Sequence, residues 1–383
     1  MKKILALSTA CHKSVNREVY RIIEAKGFEV VIIIPESSYF NNSLVPADPI
    51  HKDDPKIIFD KIDTRYPRLN SFKNIRKTIF SEKPDYILID NDPGSLIVLK
   101  CAIFSKMINS KIYCITCENF SINFKELLKR KGVRSILNSL FTSIMLSLSK
   151  RLVDVVFTIN KDGTDIYKKY GFNLVKQIPL GFDKKLFFID KHQKKIIREK
   201  FNVHDFLLGF LGRNIPEKGL EVLIKALARI KEKKWFLILD EFKEYSSNYA
   251  EEINNLIIKK GLKDKIIFIN PSHEEMGAYL NAIDILVVPS LETYFWKEQY
   301  GRVAAEALAC GKKIIYSNTG HLPCLIGENG ISFNEGDFNK LSEIITNEIN
   351  NKDIQDDLEI IRASYSQDNL SAEIQADEMI EMF

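Results

Sequence analysis

The sequence predicts an α/β protein with two doubly wound parallel sheets, and three observations lead to this prediction. Short apolar runs alternate with helical patterns along both halves of the chain. A charged stretch, DKHQKKIIREKFNV (190–203), separates the two series. The length of 383 residues and the 45% hydrophobic content leave room for two cores. We therefore predict an N-terminal domain over 1–188, a C-terminal domain over 189–365 and a final segment over 366–383.

Composition argues against several classes of protein. With 55 basic and 51 acidic residues, the net charge of +4 is too balanced for a nucleic-acid-binding protein. The six cysteines lack a disulfide-framework spacing, and the lone CxxC, Cys114 to Cys117, has no second pair, so we expect reduced core thiols. The start, MKKILALSTAC, mimics a lipoprotein signal, but a first strand explains it better. Because no stretch reaches the roughly 20 apolar residues of a membrane span, we expect a cytoplasmic protein that is not integral to a membrane.

The N-terminal half contains apolar runs that predict the strands of its sheet. They are KILALS, FEVVIII, KIIFD, DYILID, KIYCI and DVVFTI. The turn after the first run, STACHKSVN (8–16), has no glycine, so the dinucleotide fingerprint GxGxxG is absent. An NAD-dependent oxidoreductase is therefore a poor fit.

Polar side chains follow three of these runs, in loops that a parallel topology places at one face. They are His12, Asn16 and Arg17, then Asp90, Asn91 and Asp92, and then Glu118 and Asn119. Such side chains suit a ligand that carries hydroxyl groups. The segment from Asp90 to Asp92 also spells DxD, a metal-diphosphate motif, but aspartates that open a helix are more often caps. We predict no metal.

Residues 124–152 combine a basic cluster with an apolar stripe. The basic residues are Lys125, Lys129, Arg130, Lys131 and Arg134. The stripe consists of Val133, Ile136, Leu137, Leu140, Phe141, Ile144 and Leu148. Its simplest interpretation is a helix that faces the core. A basic amphipathic front is also typical of an anionic membrane surface as partner, here through residues 124–134, and both interpretations stay open.

The C-terminal half repeats the alternation, with six strand candidates. They are FLLGFLG, WFLILD, KIIFI, DILVVPS, KKIIYS and GISF. Between the fourth and fifth lies EQYGRVAAEALACG, in which Glu298 and Glu306 flank Gly301. A glycine at a helix start leaves the first backbone N–H groups open to an anion, so this stretch suits a phosphate with hydroxyls beside it. The alternative is that Glu298 only complements the helix N-terminus and Glu306 is a solvated or core-edge carboxylate.

A second candidate loop follows the first strand of this half. In GRNIPEKGLEVLIKAL, Arg213 and Lys218 bracket the start of a helix. Two cations with free N–H groups predict a diphosphate site that needs no metal. The alternative is a solvated basic loop, but its position relative to the Glu298 loop favours the site.

These motifs together resemble a known family. GRNIPEKG, VPS, EQYGRVAAEALACG, SNTGHLP and GENGISF look like glycosyltransferase family 4, and KILALSTACHKSVNREVY, CENFS and IPLGFD are similar in the N-terminal half. The resemblance implies the GT-B fold, with two Rossmann-like domains facing a central cleft. It also implies a C-terminal helix that crosses back to the N-terminal domain.

The resemblance implies roles for particular residues. Arg213 and Lys218 would hold the nucleotide diphosphate, Glu306 the ribose hydroxyls, and Glu298 the donor sugar. Further donor contacts would come from Tyr300, Gly301 and Gly212. The acceptor-side candidates are His12, Arg17, Asp90, Asn91, Glu118 and Asn119.

The implied reaction is retaining transfer of a sugar from a nucleotide-diphospho-sugar to a glycan or glycolipid acceptor, in cell-surface polysaccharide or glycoconjugate biosynthesis. The donor is a substrate, and no cofactor is expected. The protein would work in the cytoplasm or peripherally on the inner face of the membrane. Alternatives are a silent nucleotide-sugar-binding partner subunit, a soluble sugar acceptor, and a hydrolase or phosphorylase on the same fold.

Overall fold

The computed structural model describes residues 1–40, 43–65, 68–120, 140–231, 234–242, 247–294, 296–351 and 358–383. The chain divides into two compact units. The first contains Met1–Leu180 together with Ala372–Phe383, and the second contains Gly181–Ser371. The first segment of the first unit therefore ends at Leu180, whereas the sequence predicted the domain boundary at residue 188.

The first unit is built on a seven-stranded parallel sheet with the order β5-β2-β1-β6-β7-β8-β9. The strands are β1 (Lys3–Ser8), β2 (Glu29–Ile34), β3 (Ser37–Phe40), β4 (Ser43–Pro46), β5 (Lys56–Phe59), β6 (Tyr86–Asp90), β7 (Lys111–Thr116), β8 (Val155–Thr158) and β9 (Val175–Gln177), of which β3 and β4 form a separate antiparallel pair. The helices are α1 (Glu18–Ala25), α2 (Ile75–Glu82), α3 (Leu96–Ile108), α4 (140–149) and α5 (Lys161–Tyr170). Central strands such as β2 and β6 are almost wholly buried, because helices cover both faces of a parallel sheet.

The second unit is built on a six-stranded parallel sheet with the order β12-β11-β10-β13-β14-β15. Its strands are β10 (Phe206–Phe210), β11 (Trp235–Asp240), β12 (Ile266–Ile269), β13 (Ile285–Val288), β14 (Lys313–Ser317) and β15 (Gly330–Phe333). Its helices are α6 (Lys191–Lys200), α7 (Leu220–Leu227), α8 (Ser247–Lys259), α9 (Met276–Ala282), α10 (Arg302–Ala309), α11 (Leu322–Ile326), α12 (Phe338–Asn350) and α13 (Glu359–Asn369). All six predicted strands are present, and the prediction of two doubly wound α/β sheets is confirmed.

The last helix, α14 (Ala372–Ile380), lies in the first unit, where it packs against α1. Beyond it, the Phe383 ring stacks on Tyr86 with centroids 4.9 Å apart and meets the edge of Tyr113 at 5.2 Å. The Tyr113 hydroxyl donates to the carbonyl of Met382 at 2.6 Å. Aromatic contacts and a hydrogen bond therefore attach the end of the chain to β6 and β7.

Helix α4 differs from its prediction. Leu140, Ile144 and Leu148 were expected to face the core, but they are 46%, 59% and 48% exposed. The helix packs through another face, which carries Met145 and Leu146. The expectation is wrong here because apolar residues occupy two faces of this helix, and spacing alone does not tell which one meets the sheet. The basic cluster of residues 125–134 and the rest of the stripe, apart from Phe141, lie outside the described residues.

Two further expectations concern cysteines and membranes. Cys11, Cys101, Cys114 and Cys310 are free and buried, as expected of core thiols, but Cys117 and Cys324 are exposed. Their local sequences gave no sign of this difference. In the described part of the chain, no helix is both long and apolar enough to cross a bilayer.

Candidate active site

The two predicted donor loops lie at the switch point of the second sheet. Strands β10 and β13 are neighbours, and the chain runs outward from β10 through β11 to β12 before it returns to β13. Loops that leave neighbouring strands in opposite directions open a crevice at the carboxyl ends of the strands. The loop after β10 carries Lys218, and the loop after β13 carries Glu298.

Lys218 and Glu298 form an ion pair in this crevice. The ammonium Nζ of Lys218 lies 2.6 Å from Oε2 of Glu298, and the two side chains are only 19% and 8% exposed. The buried Ser290 hydroxyl donates to the same carboxylate oxygen at 2.9 Å. The sequence predicted both charged residues as site residues, and the fold brings them into direct contact. Ser290 was not predicted as a site residue, although it ends the VPS motif just after β13.

The loop after β14 holds the backbone of Glu298 in place. The backbone N–H of His321 donates to the carbonyl of Glu298 at 3.0 Å. Gly320 has a φ of +55°, and a Cβ atom there would lie 2.2 Å from the same carbonyl oxygen. The SNTGHLP motif is therefore needed as a close backbone support for Glu298.

Gly320→Ala is expected to destabilise the second unit more than a control at another left-handed glycine. Gly336 has a φ of +75° with open space around it, so Gly336→Ala should lower the free energy of unfolding by about 1 to 2 kcal/mol through backbone strain alone. Gly320→Ala adds an overpacking penalty of about 1 to 3 kcal/mol. Urea unfolding of both variants measures the difference. Equal urea midpoints would contradict the close contact with Glu298.

Glu306 is a buried carboxylate on α10. It is 4% exposed, and its Oε1 atom has no hydrogen-bond partner among the described residues. Burial raises the pKa of the Glu306 carboxyl to about 7, although the nearby charge of Arg302 acts in the opposite direction. A buried acceptor without a donor costs about 1 to 3 kcal/mol. Glu306 is therefore suited to accept hydrogen bonds from hydroxyl groups of a ligand.

The residues before α10 support this helix start. Tyr300 is buried and stacks on His321 with ring centroids 5.7 Å apart. Gly301 has a φ of +93°, and a Cβ atom there would lie 2.8 Å from a side-chain carbon of Leu322. The glycine therefore provides room for the protein's own packing, and its role in leaving the N–H groups open to a ligand stays a prediction.

Arg213 and Gly212 lie in the other loop. Arg213 is exposed, in contrast to Lys218. The backbone N–H of Gly212 donates to Oδ2 of Asp240 at 2.6 Å, and the side-chain amide of Asn214 donates to the Asp240 carbonyl. The loop is therefore anchored to the end of β11 and presents Arg213 to solvent.

In the first unit, several acceptor-side candidates lie at the carboxyl ends of strands. Asp90 ends β6 and accepts from the Ser8 hydroxyl at 2.7 Å. Asn91 accepts through its side chain from the next backbone N–H at 2.8 Å. Nδ1 of His12 is 2.8 Å from the carbonyl of Thr9. All three predicted side chains are half-buried.

Arg17 has a structural role. It is fully buried and pairs with the equally buried Asp54 at 2.8 Å. Its guanidinium also donates to the carbonyls of Cys11, Asp48 and Pro49. Arg17 thus holds the first turn to the loop that precedes β5, and it is not placed to contact an acceptor. The sequence could not distinguish it from a site arginine, because its partners are mostly backbone atoms distant in sequence.

Glu118 belongs to a charged cluster that the sequence did not indicate. Nη2 of Arg68 lies 2.5 Å from Glu118 and 2.8 Å from Asp92, and the Tyr167 hydroxyl donates to Asp92 at 3.1 Å. Asp92 also accepts from the backbone N–H of Gly94, but the N-cap of α3 is Ser95, so the expectation that the aspartates cap this helix is wrong. The neighbouring Asn119 is buried. Among the described residues, no cluster of potential metal ligands is present.

Residues 192–365 match the family model described as "Glycosyl transferases group 1". This part, which is less than half of the 383 residues, is similar to group 1 glycosyl transferases. The resemblance found in the sequence is thus confirmed at the level of the group, and the finer assignment to family 4 stays a prediction.

The matches to individual proteins cover different shares of the chain. An uncharacterized glycosyltransferase of Methanocaldococcus jannaschii is 30% identical over 40% of this chain, and the match spans 42% of that relative's length. An uncharacterized 42.6 kDa protein in the cps region of Klebsiella pneumoniae is 26% identical over 78% of this chain and 72% of its own. The crystal structure of Anabaena Alr3699/HepE in complex with UDP has a TM-score of 0.76 at 18% identity, covering 100% of this chain and 99% of that one. This likeness confirms the GT-B fold.

Proposed function

We propose that the chain is a retaining glycosyltransferase that moves a sugar from a nucleotide-diphospho-sugar to a glycan or glycolipid acceptor, in cell-surface polysaccharide or glycoconjugate biosynthesis. The observation that carries the proposal is the ion pair between half-buried Lys218 and buried Glu298 at the switch point of the second sheet. A cation beside a carboxylate matches a donor whose phosphates are anionic and whose sugar carries hydroxyls. Structures of the HepE protein with UDP and with UDP-glucose support this class of donor.

In the proposed reaction, the acceptor hydroxyl oxygen attacks the anomeric carbon as the bond from that carbon to the diphosphate breaks. The proton of the hydroxyl passes to the departing phosphate oxygen on the same face of the sugar. Arg213 and Lys218 stabilise the charge that develops on the diphosphate, each contributing about 2 to 4 kcal/mol to lowering the barrier. Glu306 binds the ribose hydroxyls, and Glu298 binds hydroxyls of the transferred sugar.

The test of this proposal begins with binding and ends with products. Thermal stabilisation by a panel of nucleotide sugars identifies the donor, because a ligand at 100 times its dissociation constant adds about 2.7 kcal/mol. Product analysis with and without an acceptor then separates transfer from hydrolysis, from phosphorolysis and from silent binding. Failure of every nucleotide sugar to stabilise the chain would refute the donor site.

We also propose that the reaction needs no metal ion, because Lys218 in the crevice and Arg213 in the same loop would supply the positive charge that the diphosphate needs. Transfer should proceed at an unchanged rate in EDTA. Loss of transfer in EDTA, with recovery on adding Mg²⁺ or Mn²⁺, would contradict this proposal.

We propose further that the acceptor is carried by a lipid and that the first unit docks on an anionic membrane surface. Leu140, Ile144 and Leu148 form an exposed apolar stripe along α4. Five basic residues precede it in the sequence, between residues 125 and 134. An apolar stripe that follows a basic segment matches the acyl boundary and the anionic headgroups of a bilayer, respectively.

Binding to vesicles that contain anionic lipid should therefore weaken with salt and with either part of this surface changed. Replacing Lys129, Arg130 and Lys131 by Glu should lower the affinity by about 100-fold or more, since each basic residue near the surface contributes about 1 kcal/mol. Ile144→Ser should lower it by about tenfold. The matched control is Ile258→Ser on α8, because Ile258 is 62% exposed. No vesicle binding at any salt concentration would favour a soluble acceptor.

A further inference from the structure

Trp296 lies against the cation of the candidate donor site. The Nζ atom of Lys218 is 5.3 Å from the centroid of the Trp296 ring, as in a cation–π contact, and 2.6 Å from the Glu298 carboxylate. A ring and a carboxylate thus share one ammonium group. The sequence analysis did not single out Trp296, because no charge or glycine pattern marks it.

The backbone fixes the place of this ring. The N–H of Thr293 donates to the carbonyl of Trp296 at 2.7 Å, and the N–H of Trp296 donates to the Thr293 hydroxyl at 3.1 Å. Trp296 is half-buried, two residues before Glu298. Two hydrogen bonds to Thr293 therefore hold the backbone of Trp296, whose ring lies next to Lys218.

The ring and the carboxylate differ in what they allow Lys218 to do. A diphosphate competes with the Glu298 carboxylate for the same ammonium protons. An aromatic face attracts the ammonium without occupying its donors in strong hydrogen bonds. Lys218 can therefore exchange its carboxylate partner for a phosphate while it keeps the ring contact.

We infer that Trp296 is a positioning residue. It holds the Lys218 ammonium against the donor diphosphate, while the Glu298 carboxylate separates from Lys218 and binds the sugar. This inference rests on the proposed function. It predicts that the aromatic face, and not the volume of the side chain, supports turnover.

Kinetics test this distinction. Trp296→Leu should lower kcat by about tenfold, while Trp296→Phe stays within about threefold of the parent, since a phenyl face retains part of the attraction. Donor KM should change less than kcat in both variants. In a Lys218→Ala background, Trp296→Leu should have no further effect on kcat, because the group that the ring positions is gone. An undiminished tenfold loss in that background would show that the ring acts on general loop structure, and would overturn the inference.

A binding experiment separates the inference from the proposed function. The sequence has two tryptophans, so Trp235→Phe leaves Trp296 as the only fluorescent indole. Titration with UDP, and with GDP and ADP if UDP does not bind, should change its emission, and Lys218→Met should abolish that change. Calorimetry is run in parallel on the same protein. Heat of binding without a change in emission would overturn the role of Trp296 and leave the proposed function standing. The absence of binding by all three nucleotides in calorimetry would overturn the proposed function, and the inference with it.

Discussion

Lys218→Ala and Arg213→Ala are both expected to lower kcat by 100-fold or more, but only the first should destabilise the fold appreciably. Both cations face the developing charge of the diphosphate in the proposed reaction, and removing one preorganised donor usually costs about 100- to 1,000-fold. Arg213 is exposed, so its loss leaves nothing buried without a partner. Lys218 is paired with the buried Glu298, whose carboxylate would keep Ser290 as a donor but lose its ionic partner.

The unfolding measurement makes this contrast quantitative. We expect Lys218→Ala to lower the free energy of unfolding by about 1 to 3 kcal/mol, the usual cost of leaving a buried polar group unsatisfied. Arg213→Ala should stay within about 0.5 kcal/mol of the parent. Lys225→Ala is the matched control, since Lys225 pairs with Glu221 at the exposed surface of α7 and should affect neither property. If both Arg213→Ala and Lys218→Ala kept transfer within about threefold of the parent, the diphosphate assignment would be wrong.

The parallel sheets could be predicted because their strands are buried on both faces. Residues 30–34 and 86–89 are apolar without interruption, as central strands of such sheets are, and they lie in β2 and β6. The pair β3 and β4 and the edge strand β9 were missed. Each is only three or four residues long, and their segments, such as VKQ, lack an apolar run. These short strands form because they pair with a neighbouring strand, and the sequence of one segment does not show which strand that is.

The site residues were predictable to the extent that their chemistry is local. Glu298 and Lys218 belong to motifs that can be recognised within a few residues, whereas their ion pair joins two loops of different strands. Arg68 and Trp296 lie in no such motif, and the fold alone brings them to carboxylates and to Lys218. Arg17 was predicted as a site residue because it lies in the loop after β1, but its side chain holds this loop to the loop before β5.

Glu306→Gln should raise the donor KM by about 10- to 100-fold with kcat nearly unchanged, and it should remove a pH dependence that the parent shows. The ribose does not change during the reaction, so its partner contributes equally to the ground state and the transition state. Burial raises the pKa of the Glu306 carboxyl to about 7, and the ionised form is the stronger acceptor. Below pH 7 the donor KM of the parent should therefore rise, by up to tenfold per pH unit, while that of the variant stays flat.

The Glu306 carboxyl should also make folding stability depend on pH, and here the loss should come at high pH, whereas donor binding weakens at low pH. Its folded pKa of about 7 lies above the ordinary value of 4.5, so between these values the folded state binds more protons than the unfolded state. Stability is therefore lost as the pH rises through this window. Glu306→Gln, which is neutral at every pH, should be more stable than the parent at pH 8. An unchanged or lower urea midpoint at pH 8 would contradict the burial of this carboxyl with its Oε1 atom unpartnered among the described residues.

Glu298→Gln should lower mainly kcat, whereas Glu306→Gln should raise mainly the donor KM. As the sugar ring flattens and gains positive charge, a carboxylate that holds its hydroxyls interacts more strongly with the transition state than with the ground state, so kcat should fall more than KM rises. The amide also removes the charge that pairs with Lys218 at 2.6 Å, which leaves the ammonium free to bind the donor phosphates and limits the rise in KM. Steady-state kinetics with the donor varied at saturating acceptor measure both variants together. If Glu306→Gln lost kcat while Glu298→Gln only raised the donor KM, the two glutamates would hold the opposite ends of the donor.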